Sequence, residues 1–205
     1  MGWRGLGPTG TPAATLLTND FNTVYAGTFD ELTVGSTYTM SFDSASAVEA
    51  YLPASGTPGP LVANLLDQTT SSSGSFGGDV VALTLDVNFS SAGFLTGSSG
   101  YSFGSLVITG FPALTGIEGI TVGQFLGQLD TLLGGGSPSD GYTIDELDPI
   151  AIELENSFTD GIPSTFAQDN LLPPPTTVVP TPEPSGVLLL GVAMLGLMGK
   201  ALSRK

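Results

Sequence analysis

The chain has 205 residues, 40% of them hydrophobic, which is enough for one ordinary domain with an apolar core. Its 19 acidic and four basic residues give a formal net charge of −15, which disfavours nucleic acids and anionic lipid surfaces as partners. The absence of histidine and cysteine excludes Ser-His-Asp triads, thiol chemistry and disulfides, and no lysine or arginine occurs in residues 5–199.

The N-terminal segment MGWRGLGPTG lacks the apolar run of a signal peptide. Residues 1–25 have the composition of the interior of a Gly-rich module. We therefore expect the natural reading frame to begin upstream, with a basic and apolar leader.

Residues 29–43 predict a β-hairpin, because Tyr38, Met40 and Phe42 alternate with polar residues. Gly35 and Ser36 would supply the turn. The next segment, SASAVEAYLP, predicts a short helix in which Ser46 and Glu49 have capping-box spacing and Pro53 follows the last turn.

The segment VVALTLDVNFSS, residues 80–91, fits two structures. Strict alternation favours a strand, which is our preferred interpretation, and its apolar members are Val81, Leu83, Leu85, Val87 and Phe89. A helix beginning near Phe76 is the alternative, because Val80, Leu83 and Val87 also share one helical face. The segment SLVITG, residues 105–110, predicts a second short strand.

Two helices are predicted in the second half of the chain. In TVGQFLGQLDTLLGGG, Thr121 and Gln124 form a capping box and Gly134 ends the helix. The apolar stripe of this helix consists of Val122, Phe125, Leu126, Leu129, Leu132 and Leu133.

The segment YTIDELDPIAIELENSF repeats the capping spacing at Thr143 and Glu146. Its apolar face consists of Ile144, Leu147, Ala151, Leu154 and Phe158. Pro149 either kinks this helix or occupies the first turn of a helix capped by Asp148. The two helices are expected to pack as a pair.

Seven acidic residues fall within residues 140–160, but their spacing is not that of an EF-hand loop. Asp140, Asp145 and Asp148 are weak candidates for a calcium site of another type. Carboxylate pairs could also serve a glycosidase, yet with 19 acids such pairs carry almost no specificity. No catalytic residue and no cofactor is predicted.

The chain is expected to consist of an acidic body (1–166), a Pro-rich linker (167–181) and a C-terminal segment (182–205). The linker is a semi-rigid polyproline stalk. In the C-terminal segment, Pro182, Glu183 and Pro184 precede 14 residues without a charge, 186–199, which as a helix would span about 21 Å.

That length is short for a bilayer core of about 30 Å, although Ala201 and Leu202 extend it if Lys200 snorkels. The apolar residues of the span include Val187, Leu188, Leu189, Leu190, Val192, Leu195, Leu197 and Met198. Lys200, Arg204 and Lys205 favour a cytoplasmic end. A buried C-terminal helix is the alternative, but the glycines and the absence of a polar face disfavour it.

A Pro-Glu-Pro motif, a short apolar span and a basic end resemble the PEP-CTERM sorting signal of Gram-negative bacteria. The resemblance covers about 25 residues and implies processing by an exosortase-type transpeptidase, transient residence in the inner membrane and an association with exopolysaccharide and biofilm. Pieces of the body, such as AVEAYLPASGTPGPL and GITVGQFLGQLDTLLGG, resemble recurring blocks of uncharacterised bacterial extracellular proteins.

The sequence therefore predicts a small α+β domain with a β-hairpin, short strands and two or three helices, followed by the stalk and a transmembrane helix. The expected protein is exported, tethered to the inner membrane as a precursor and then released to the cell surface or matrix. It would be a non-enzymatic structural or interaction component, with extracellular polysaccharide as a candidate partner. A calcium-dependent adhesion or glycan-binding module is the alternative.

Overall fold

The computed structural model describes Trp3 and residues 12–27, 30–95, 100–159 and 162–175. The chain divides into two units, Met1–Pro174 and Pro175–Lys205, and the elements below belong to the first. The helices are α1 Pro12–Val24, α2 Ala45–Tyr51, α3 Gly74–Ser91, α4 Val122–Leu133, α5 Ile144–Glu155 and α6 Thr165–Asn170, with a 3₁₀ turn at Phe103–Ser105. The strands are β1 Leu32–Gly35, β2 Thr39–Phe42, β3 Leu65–Leu66, β4 Val107–Ile108, β5 Phe158–Thr159, β6 Ile162–Pro163 and β7 Leu171–Leu172.

The α+β class is confirmed, and the described ranges hold six α-helices rather than the two or three expected. Helix α1 was missed, because residues 1–25 looked like a Gly-rich module. Its buried residues Ala13, Ala14, Leu17 and Phe21 lie on one face and attach it to the core.

The preferred strand at residues 80–91 is wrong, because these residues belong to α3, the central helix of the body. Four consecutive residues, Val80 to Leu83, have 0% exposure, so this helix is surrounded on all sides. The polar residues that mimicked the outer face of a strand are themselves buried. The Thr84 hydroxyl donates to the Val80 carbonyl (2.7 Å), and Asp86 accepts a hydrogen bond from Trp3.

The predicted hairpin is confirmed, with β1 antiparallel to β2 and Val34 opposite Met40. Gly35 has a φ of 92°, a value that side-chain-bearing residues rarely adopt. Strand β3 adds to β2 in parallel, so the sheet order is β1-β2-β3. Helix α2 is also confirmed, but its N-cap is Ser44, whose Oγ accepts from the Ala47 amide (3.4 Å), and not Ser46.

Both predicted capping boxes are present. In α4 the Thr121 amide donates to Gln124 Oε1 (2.9 Å), and in α5 the Thr143 amide donates to Glu146 Oε2 (2.9 Å). Every residue of the predicted α4 stripe is buried. Helix α5 runs through Pro149, so the alternative in which Asp148 caps a new helix is wrong.

The two helices do not pack mainly as a pair, because the principal partner of both α4 and α5 is α3. Helix α3 thereby connects the second half of the chain to the hairpin and α2. The core forms around it from buried residues of all six helices and of strands β1, β2, β4 and β7.

The short strand expected within residues 105–110 is confirmed as β4, and it pairs with β7 (Val107 opposite Leu172). The packed body therefore extends past residue 166, into what the sequence assigned to the linker. Helix α6 buries only Ala167, which is too weak a pattern to identify from the sequence.

Candidate functional site

The sorting-signal residues predicted from the sequence lie outside the described residues. They are Pro182, Glu183 and Pro184, the apolar residues within 187–198, and the basic residues Lys200, Arg204 and Lys205. In the part of the chain that the structure describes, no helix combines the length and apolarity needed to cross a membrane.

The three calcium candidates are not brought together. Asp140 is exposed and its carboxylate lies against Gly116, Asp145 is exposed in the first turn of α5, and Asp148 is buried on that helix. Within the described ranges, no group of three or more acidic, histidine or cysteine side chains could hold a metal ion.

We expect up to millimolar calcium to leave the melting temperature of the protein unchanged, because these three carboxylates do not form a coordination sphere. Differential scanning calorimetry with calcium, and with magnesium as the control for general screening, measures this. A stabilisation specific to calcium would restore the adhesion-module alternative, since ligand binding to the native state raises the melting temperature.

Asp86 is a buried carboxylate that joins the N-terminal segment to α3. Its Oδ1 accepts a 2.7 Å hydrogen bond from the Trp3 indole nitrogen, and the Trp3 ring packs against Phe89 with centroids 5.1 Å apart. Burial raises the pKa of Asp86 to about 8, and the Trp3 hydrogen bond offsets only part of this rise. This role could not be predicted from the sequence, because Asp86 alternates with apolar residues as a polar position on a strand would.

Asp130 plays a similar role between α4 and the hairpin. Its Oδ1 accepts a 2.7 Å hydrogen bond from the Gly35 amide. Burial raises the pKa of Asp130 to about 6, against the lowering effect of that hydrogen bond. Both carboxylates hold elements together, Asp86 through Trp3 and Asp130 through Gly35.

A chain of hydroxyl groups fixes the start of α3. Tyr51 Oη lies 2.9 Å from Ser71 Oγ, which lies 2.5 Å from the Oγ of the fully buried Ser73. Gly77 stands against Ser73 and Tyr51 so closely that a β-carbon would collide with both side chains. Burial raises the pKa of the Tyr51 hydroxyl. A serine nucleophile would need a general base, and the chain contains no histidine to act as one.

One large exposed surface of this acidic protein carries no charge, and we call it the neutral surface. It consists of the exposed residues of segments 36–41, 53–66, 68–72 and 134–138, which contain no Asp, Glu, Lys or Arg. Three hydrogen bonds join these segments: Tyr38 N to Gly134 O (3.2 Å), Thr39 N to Asn64 Oδ1 (3.0 Å) and Ser72 Oγ to Pro60 O (3.0 Å). A fourth, from Leu61 N to Leu133 O (2.7 Å), attaches segment 53–66 to the end of α4.

Three large apolar side chains protrude from the neutral surface. Val62 is 70% exposed, Leu66 54% and Tyr38 40%. The Tyr38 ring lies beside Gly135, whose missing side chain leaves the ring accessible. Asp43 and Asp67 mark the border of the surface at one end of the sheet, where the Asp43 amide donates to Asp67 Oδ1 (3.0 Å).

Comparisons of the chain with protein-family models, with curated proteins and with solved structures found no match.

Proposed function

We propose that this protein is an exported surface or matrix component whose C-terminal segment is a sorting signal cut by an exosortase-type transpeptidase. In this proposal the segment holds the precursor in the inner membrane with its basic end in the cytoplasm. The body is then released to the cell surface or to an exopolysaccharide matrix, where it has a structural or interaction role.

The observation that carries the proposal is the order of three features in the last 24 residues. A Pro-Glu-Pro tripeptide, an uncharged span at 186–199 and a basic end follow one another directly. Prolines favour an extended backbone that a protease cleft can bind. A basic pocket in the same cleft could recognise the single carboxylate of Glu183. The span is short enough to serve as a temporary anchor.

The body supports a role in interaction rather than catalysis. Its hydroxyl chain and the carboxylates of Asp86 and Asp130 are engaged in holding elements together. It also carries the neutral surface, with the exposed apolar side chains of Val62, Leu66 and Tyr38, which is a feature of binding surfaces more than of catalytic clefts. No observation favours the calcium-dependent alternative.

The test is a comparison of the wild-type chain with a variant in which Pro182→Ala, Glu183→Gln and Pro184→Ala are combined. Both are expressed in a host that has an exosortase, behind the same secretion leader. We expect the wild type to lose its C-terminal segment and the variant to remain full length and in the membrane, because the recognised tripeptide is gone. Intact-mass spectrometry of the membrane and extracellular fractions measures this.

Pro180→Ala is the matched control, because it removes a nearby proline outside the tripeptide, and it should be processed like the wild type. Wild-type protein recovered at full length from the cytoplasm would contradict the proposal. So would identical processing in a host that lacks the exosortase.

A further inference from the structure

The neutral surface is unusual because the protein around it is strongly acidic. The formal net charge is −15, and residues 5–199 contain no basic residue. Two copies of such a chain repel each other at most orientations. An approach through the neutral surface avoids this repulsion, because segments 36–41, 53–66, 68–72 and 134–138 present no carboxylate.

We propose that the neutral surface is a homotypic interface, at which a second copy of this chain binds. Exposed apolar side chains normally occur singly on a monomer, whereas Val62, Leu66 and Tyr38 lie on one hydrogen-bonded group of segments. They are three of the six large apolar side chains that are exposed in the described ranges. Self-association buries them and keeps the acidic parts of the two copies apart.

Other occupants fit the surface less well. A basic protein or polymer would bind the acidic remainder of the body, where the carboxylates are, and an anionic polymer would be repelled by it. A neutral polysaccharide could approach, but a surface with two protruding aliphatic side chains and a single exposed tyrosine offers few groups for stacking on sugars. A second copy matches both the absence of charge and the aliphatic content.

A symmetric dimer makes the geometry testable, since a residue near the twofold axis faces its own counterpart. The chain contains no cysteine, so a single introduced thiol reports one position without background. We choose Val62→Cys and Leu66→Cys on the neutral surface. Ile162→Cys is the matched control, because Ile162 lies on β6 outside this surface and is as exposed as Val62, at 70%.

The full-length variants are treated with bismaleimides of increasing span, and covalent dimers are measured on denaturing gels over a range of protein concentrations. We expect covalent dimers from Val62→Cys or Leu66→Cys and only background from Ile162→Cys. Dimers of equal yield from all three would show that another part of the chain drives association. That result would overturn the proposal. So would the absence of covalent dimers from both Val62→Cys and Leu66→Cys.

A second measurement uses charge. Val62→Asp places two carboxylates at the contact, so we expect at least about tenfold weaker association in sedimentation equilibrium, and no change for Ile162→Asp. Association of the wild type should strengthen as sodium chloride rises, because salt screens the repulsion between the acidic remainders. An association that salt weakens would contradict the neutral contact.

Val62-dependent retardation in gels containing a neutral glucan, without any dimer, would assign the surface to a polysaccharide and overturn the homotypic interface. None of these results depends on whether the C-terminal segment is cut. The homotypic interface and the sorting proposal can therefore fail separately.

Discussion

Replacing Phe89 by alanine is expected to lower the free energy of unfolding by about 3–5 kcal/mol, which is a large part of the stability of an ordinary domain. Phe89 has 0% exposure and lies on α3 among Trp3, Tyr25 and Phe94, at ring-centroid distances of 5.1, 6.5 and 6.1 Å. Removal of its ring leaves a cavity that three aromatic side chains border. Urea denaturation followed by tryptophan fluorescence, with Trp3 as the only tryptophan, measures the change.

Phe94→Ala is the control, since Phe94 is only half-buried at the edge of the same cluster. It should cost a smaller amount, about 1–2 kcal/mol. If the two variants were equally stable, Phe89 would not be at the centre of the core.

The difficulty at α3 has a physical reason. Period-two and helical patterns both assume that one face of an element meets water. Helix α3 is enclosed by α4, α5, the 3₁₀ turn and the hairpin, and even its polar residues Thr84 and Asp86 are buried. No face remains to reveal the period, and the few polar residues happened to stand at alternate positions.

The hairpin and the ends of α4 and α5 could be predicted because their signals are local. A capping box needs only residues three positions apart, and Thr121 with Gln124 or Thr143 with Glu146 satisfies this within a single turn. The roles of Asp86 and Asp130 could not be predicted, because their partners Trp3 and Gly35 lie 83 and 95 residues away.

Part of the neutral surface could be recognised from the sequence. Residues 32–42 and 50–66 are free of charge in a chain with 19 acids, and this can be counted directly. What the sequence did not show is that these two segments become neighbours in one sheet, through the parallel pairing of β2 with β3. The sorting signal is the opposite case, since all of its residues are contiguous in the sequence.

The second large effect is on pH dependence, and the raised pKa values of Asp86 and Asp130 determine its direction. Aspartate side chains in an unfolded chain have a pKa of about 3.9. In the folded body burial raises the pKa of Asp130 to about 6 and that of Asp86 to about 8. A raised pKa means that the folded state prefers the protonated acid. The stabilisation that this preference gives is complete below about pH 4, and it is lost as pH rises from there to the folded-state pKa values of the two acids.

We therefore expect the free energy of unfolding to fall by a few kcal/mol between about pH 4 and pH 8, since a tenfold change in proton affinity corresponds to about 1.4 kcal/mol. Repulsion within a chain of net charge −15 acts in the same direction. Below this window the trend reverses, because hydrogen bonds from Thr143 lower the pKa of Glu146, whose stabilising contribution is lost as pH falls. Urea denaturation at a series of pH values measures the profile.

Two variants separate the contributions of these two acids from general repulsion. Asp130→Asn should remove the part of the fall that lies between about pH 4 and 6, and Asp86→Asn the part that extends from about pH 4 to 8, because an amide keeps a carbonyl acceptor but does not titrate. Glu153→Gln removes one exposed carboxylate and serves as the control. If that control flattened the profile as much as the Asp130→Asn and Asp86→Asn variants did, the pH dependence would come from net charge alone. A wild-type stability that increased from about pH 4 to 8 would show instead that Asp86 and Asp130 are stabilised as carboxylates, by the hydrogen bonds from Trp3 and Gly35.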